Sequence, residues 1–238
     1  PRSSRVLEVG GGHNPHPRSN VVVDKYVDSN FHRSGNIKIF KNQTFLDADG
    51  ENLPFKDKEF DYVICCHVLE HVENPFRFLS EQFRVARRGY IETPSLLGEY
   101  FATRESHKWI INEFNDKLYL VDKKKMGFTY GYDMGKLVQQ YLPTHSIGFK
   151  IMERTHPNLL TVRIEWEHDF NYEIEPQDPI VRQFFTGAWE PGWANKFFPP
   201  KSMGQEFKDA ASAFINISRS VFKSKVIKKK LKVEPGKI

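Results

Sequence analysis

The sequence predicts an α/β fold: a mostly parallel sheet with an antiparallel strand pair at its end, followed by a helical and irregular C-terminal extension. Three observations predict it. Short apolar, β-branched runs recur through the first hundred residues, the pattern of strands buried on both faces. A helix-like stretch separates two of those runs, as crossover connections require. Past residue 200 the apolar spacing changes to three and four, the period of a helix with one buried stripe.

In order, 5–9 (RVLEV) and 20–24 (NVVVD) read as strands, 44–47 as a weaker one and 60–66 (FDYVICC) as a strong one. Residues 75–86 read as a helix with Pro75 in its first turn and Phe76, Leu79, Phe83 and Val85 as its buried stripe. Residues 89–92 supply the next strand. The runs 108–114 and 117–122 flank Asn115-Asp116 and read as a β-hairpin. Residues 132–141 look helical, with a stop at Pro143. The runs 148–153 and 159–167 read as two strands joined by a turn at Pro157-Asn158. Residues 169–202 are irregular and aromatic-rich, and 203 to about 231 form one long amphipathic helix. The division expected is a core over 1–168, with a hairpin insertion at about 108–122, and an accessory region over 169–238.

Composition narrows the function classes. With 39% hydrophobic and 27% charged residues, the 238-residue chain can build a real core. No run approaches the 18 apolar residues or so that a membrane-spanning helix needs. Cys65 and Cys66 are the two cysteines; neighbours in a strand point to opposite faces, so no disulfide framework is expected and a reducing, cytoplasmic setting fits best. The chain opens on Pro1 with no secretory signal, and a segment upstream is expected. The net charge of +5 sits in the tail: residues 217–238 hold eight bases and one acid, which leaves 1–216 at −2. Such a tail reads first as a solvated helix end and second as a contact for anionic surfaces.

Four pieces carry the chemistry. Val6-Leu7-Glu8-Val9-Gly10-Gly11-Gly12 is a strand running into glycines, which let a ligand approach the backbone. Asp24 ends the second strand, where a carboxylate can accept from ribose hydroxyls. Asp47-Ala48-Asp49 precedes Leu53-Pro54-Phe55, and Phe60-Asp61 to Cys66 leads into His67-Val68-Leu69-Glu70-His71-Val72. This order resembles the class I S-adenosylmethionine-dependent methyltransferases, the branch with an LPF…FDxV…VLEHV stretch. The likeness is close over about 5–95 and loose over 130–167. It implies a Rossmann-like methyltransferase sheet and an S-adenosylmethionine cofactor, with the methyl going to an oxygen or nitrogen of an acceptor.

Carried over by position, the resemblance implies that Gly10 and Gly12 pass under the methionine part of the cofactor while Glu8 organises their loop. Asp24 would hold the ribose, and Asp49, with the Gly50 backbone, the adenine. His67 would line the floor where cofactor and acceptor meet and is the first choice of catalytic base, His107 the second. One departure stands out: only 13–19 separate the glycines from the second strand, with Pro15 and Pro17 among them, too few for the family's helix. His13, Asn14, His16 or Arg18 would replace that helix N-terminus, Arg18 being the natural carboxylate partner.

The same residues carry other readings. His67 to His71 matches H-x-x-E-H, but a zinc-protease helix does not fit a strand exit with Asn74-Pro75 close behind. Small-RNA 2′-O-methyltransferases hold a metal with a similar E-x-x-E-H stretch; with His67 in the first position, Glu70 and His71 are expected to cap and pack a helix start, with no metal. Glu92 to Ser95 with His107, Lys108 and Trp109 could meet the acceptor or merely pack a loop, as could His32 and Arg33. The aromatics Phe184, Phe185, Trp189, Trp193, Phe197 and Phe198 read as a subdomain core or a contact between copies of the chain, and secondarily as a lid or sugar-binding surface. A small molecule or glycan is the favoured acceptor over RNA. The alternative from another class is a non-catalytic binding or scaffold protein that has lost the cofactor. An NAD-dependent oxidoreductase ranks last, because Pro15 stands where the third fingerprint glycine belongs.

Overall fold

In the computed structural model, residues 3–31, 35–128, 134–156, 159–187, 192, 195, 199–226 and 231–233 are described. The strands are β1 (Val6–Val9), β2 (Val21–Asp24), β3 (Ile39–Phe40), β4 (Thr44–Asp47), β5 (Tyr62–Cys66) and β6 (Arg88–Pro94), then β7 (Trp109–Phe114), β8 (Lys117–Asp122), β9 (Thr161–Glu167), β10 (Tyr172–Ile174) and β11 (Leu231–Val233). The helices are α1 (Pro75–Val85), α2 (Leu96–Phe101), α3 (Leu142–His145), α4 (Ile147–Thr155), α5 (Pro179–Thr186) and α6 (Met203–Val226), with a π-helical turn Lys136–Tyr141 leading into α3.

The main sheet has the order β4-β2-β1-β5-β6-β9, parallel throughout except for β9, which runs antiparallel to β6 over seven paired residues. This is a Rossmann-like sheet, mostly parallel with an antiparallel pair at its end. The chain leaves β1 toward β2 on one side and returns to β5 on the other, so the order reverses at β1, where open α/β sheets bind ligands beyond the carboxyl ends of their strands. All four residues of β1 are buried, as a central strand covered on both faces must be.

Helix α1 covers one face. Asn74 caps it by accepting from the Arg77 amide, and Pro75 occupies its first turn. Its buried residues are Pro75, Phe78, Leu79, Gln82 and Val85, whereas Phe76 is exposed and Phe83 sits on the flank against Trp166, Phe170 and Tyr172. Leu79 and Val85 are buried as expected and Phe83 is partly so, while Phe78 rather than Phe76 completes the stripe. The hairpin β7–β8 turns at Asn115-Asp116, both left-handed (φ 53° and 56°) as a tight two-residue turn needs. Strand β10 adds to β8, and Val181, Phe184 and Phe185 of α5 pack on Leu96 and Ile110 in a second apolar cluster. The insertion and the residues after 168 therefore build one layer together.

Three expectations are corrected. Residues 148–153 are helix α4, not a strand: Ser146 accepts from the Phe149 amide and starts a helix there, so β9 pairs with β6 alone. Pro143 stops nothing, because it sits in the first turn of α3, where a missing amide costs no bond. The last helix ends at Val226 and Leu231 lies in β11, paired antiparallel with β3. The turn at Pro157-Asn158, His32, Arg33, Trp189, Trp193, Phe197 and Phe198 lie outside the described residues. Cys65 and Cys66 are both free thiols. Among the described residues no helix is long and apolar enough to cross a membrane.

Candidate active site

The glycine turn leaves β1 directly. Gly10 (φ 72°) and Gly12 (φ 52°) are left-handed, and a Cβ on Gly10 would lie 2.1 Å from Cγ2 of Val68. Its amide donates to the Val23 carbonyl (2.8 Å), which holds the turn on β2. No helix follows: 13–19 are turns. What orders them is Glu8, 5% exposed, whose carboxylate accepts from the His16 amide (2.8 and 3.0 Å) and from the Ser19 hydroxyl (2.6 Å). Burial pushes the Glu8 carboxyl up, against the pull of those hydrogen bonds.

Asp24 and Asp49 stand at the ends of neighbouring strands. Asp24 accepts from the Tyr26 amide (3.1 Å). Asp49 accepts from the Glu51 amide (2.9 Å) and pairs with Lys25 Nζ at 2.7 Å, which raises the lysine's pKa. Gly50 lies against α1, where a Cβ would meet Phe78 at 2.6 Å.

Past β5, His67 takes a left-handed conformation (φ 56°) unusual for a residue with a side chain. Both its ring nitrogens face carboxylates: Nδ1 is 3.3 Å from Glu70 and Nε2 is 3.6 Å from Glu92. Burial pulls the imidazole down, but the two carboxylates outweigh it and raise the pKa to about 10. The same contacts hold Glu70 and Glu92 at about 2 against their own burial, with Tyr90 and Arg163 adding to the effect on Glu92. Glu70 and His71 do not cap a helix; they lie in the turn before it, and Asn74 is the cap.

The turn is fastened to the start of β7, where Lys108 and Trp109 amides donate to the Glu70 carbonyl (2.7 and 3.2 Å). This brings His107 beside His71, the rings edge to face at 4.7 Å. His107 Nδ1 donates to Glu99 at 2.5 Å, and Glu99 also accepts from Lys123 Nζ. All three are buried. Burial alone would raise Glu99, but His107 and Lys123 outweigh it and hold the carboxyl below its ordinary value.

One cavity of about 650 Å³ collects these groups. Glu8, Gly10, Gly12, Asp24, Asp49 and Gly50 line it. His67 and His107 line it as well, so all eight residues singled out from the sequence border the same space. Its size is that of ligand sites generally. His13 and Asn14 are also in its wall; Arg18 is not, whereas Lys25, Arg104 and Arg163 are. Glu99 and Lys123, which orient His107, were not singled out beforehand. They meet across 24 residues of sequence, and only tertiary structure joins them.

Residues 21–91 match the family model described as "Methyltransferase domain". An uncharacterised protein of Methanocaldococcus jannaschii is 36% identical over 74 residues, 29% of this chain and 36% of that protein. The chain thus spans about a third of the length of that curated relative. An S-adenosylmethionine-dependent methyltransferase of Thermotoga maritima is 22% identical, over 40% of this chain and 45% of that one, with a TM-score of 0.30. The YcgJ protein of Bacillus subtilis is 24% identical, over 39% and 44%, with a TM-score of 0.31. The methyltransferase-domain match indicates S-adenosylmethionine as the cofactor.

Proposed function

We propose that this chain, whose residues 21–91 match a methyltransferase-domain model, is a class I S-adenosylmethionine-dependent methyltransferase that transfers a methyl group to an oxygen or nitrogen of an acceptor in the cavity. The observation that carries the reading is the single cavity at the β1 switch point, bordered by the glycine turn, both strand-end aspartates and two histidines. The cofactor fits this donor set: left-handed glycines for close approach, Asp24 for ribose hydroxyls, Asp49 and the Gly50 backbone for the adenine edge. Glu8 takes over the work of the absent helix by pinning 13–19, and His13 and Asn14 stand nearest the glycines.

When bound, the cofactor supplies an electrophilic methyl whose transfer breaks a carbon–sulfur bond and leaves a neutral thioether. The chain's part is alignment, on the order of 7–11 kcal/mol for well-held reactants. His67 serves as a fixed positive charge: with both nitrogens turned to carboxylates it has no lone pair for a proton. His107 is the group suited to an acceptor. Its Nδ1 hydrogen is committed to Glu99, so the lone pair of the neutral ring is on Nε2, the arrangement that takes up a proton or a cation. A small molecule or glycan suits this cavity better than RNA, because its lining residues all come from 1–216, which carry a net charge of −2.

Incubation with methyl-labelled S-adenosylmethionine and panels of hydroxyl and amine acceptors tests the reading. Label is expected on a small molecule or glycan. Cofactor binding with no transfer to any panel, RNA included, would move the chain to the second reading, a non-catalytic binding protein; the seven-residue connection after Gly12 is the observation that favours it.

A further inference from the structure

We propose that Glu70, His71 and His107 form a binding site for one divalent transition-metal ion of the zinc or manganese kind. Each offers one ligand atom, the three atoms lie within 4.8 Å of one another, and all three residues are buried. Two imidazoles and a carboxylate are a donor set that holds such ions with positions left open.

The second observation is Glu70 itself. Its side chain is 1% exposed, and Oε1 has the His67 ring at 3.3 Å as an ion-pair partner but makes no well-formed hydrogen bond. A buried carboxylate oxygen with only this long contact has coordination capacity to spare. Its other oxygen accepts from the Thr93 hydroxyl at 3.1 Å, which fixes the group's orientation.

The outer contacts are those of metal-binding histidines. His107 donates Nδ1–H to Glu99, itself held by Lys123, and His71 donates Nδ1–H to the Ser106 carbonyl at 3.0 Å. A carbonyl only accepts, so both neutral rings carry the lone pair on Nε2, the tautomer a metal needs. The three residues also border the main cavity, so the open positions face the acceptor's space. An ion there favours an acceptor that presents an oxygen. That last consequence rests on the methyltransferase reading; the metal site does not. Glu70 and His71 thus gain a role in place of the helix cap the sequence suggested.

The test uses the whole chain, stripped with a chelator and titrated calorimetrically with Zn²⁺ and with Mn²⁺, without S-adenosylmethionine. One equivalent is expected to bind, and Co²⁺ is expected to give visible absorption bands of an imidazole and carboxylate environment. Glu70→Gln and His107→Gln should each weaken binding at least tenfold; Glu99→Gln, which only orients His107, should weaken it about 10- to 100-fold. A folded wild type that takes up no ion, or binding that survives both ligand substitutions, overturns the site. Because the stripped protein can be titrated separately with S-adenosylmethionine, failure of the metal site and failure of the cofactor reading give different results.

Discussion

Gly10 shows how narrow the tolerance at single positions is. Its φ of 72° and the 2.1 Å approach of Val68 leave no room for a methyl. Gly10→Ala is expected to cost about 1–3 kcal/mol of stability, read by urea unfolding, and to weaken S-adenosylmethionine binding at least tenfold. Full stability in that variant would mean the turn relaxes and the glycine is not required. Residues like this one are legible in the sequence because each stands where an apolar β-branched run meets a glycine or an acid. Glu99 and Lys123 were not. Each looks like an ordinary surface charge in sequence, and their burial follows from a contact between α2 and the end of β8. His67 was legible as a position but not as a charge state, since Glu92 reaches it from a different strand.

Among elements, α1 matters beyond its apolar face because it clips the Asp49 loop. Glu81 Oε2 accepts from the Leu53 amide (2.7 Å), while Arg84 donates to the Leu53 and Phe55 carbonyls (3.1 and 2.7 Å) and pairs with Glu81 and Asp57. The Arg84 contact, opposed by partial burial and helped by the Leu53 amide, holds Glu81 below its ordinary carboxyl pKa. A depressed carboxyl stabilises the fold above its unfolded pKa of 4.5 and loses that contribution as pH falls through the folded value. Glu81→Gln is therefore expected to cost about 1–2 kcal/mol at pH 7, discounted for the partly exposed Arg84, and the gap to wild type should narrow on acidification below pH 4.5. A gap constant with pH would assign the cost to packing. The LPF stretch was readable as a motif, yet its tie to α1 was not, because it spans 28 residues. Residues 148–153 failed for another reason: GFKIME alternates loosely enough for a strand, and the Ser146 cap decides for helix.

For the whole molecule, the parallel sheet was readable because its strands are short, buried runs with one crossover helix in plain view. The layer built by β7, β8, β10 and α5 was not. Its parts come from an insertion and from the segment after residue 168, and pattern alone does not join them. That layer supplies His107 and Lys123, so the far wall of the cavity depends on it. A cofactor in this cavity would be held through Asp24. Calorimetric titration of S-adenosylmethionine into the wild type and Asp24→Ala tests it most directly. Micromolar binding by the wild type, weakened at least tenfold by the substitution, is the predicted result; no binding by a folded wild type, or equal binding by both, would contradict it.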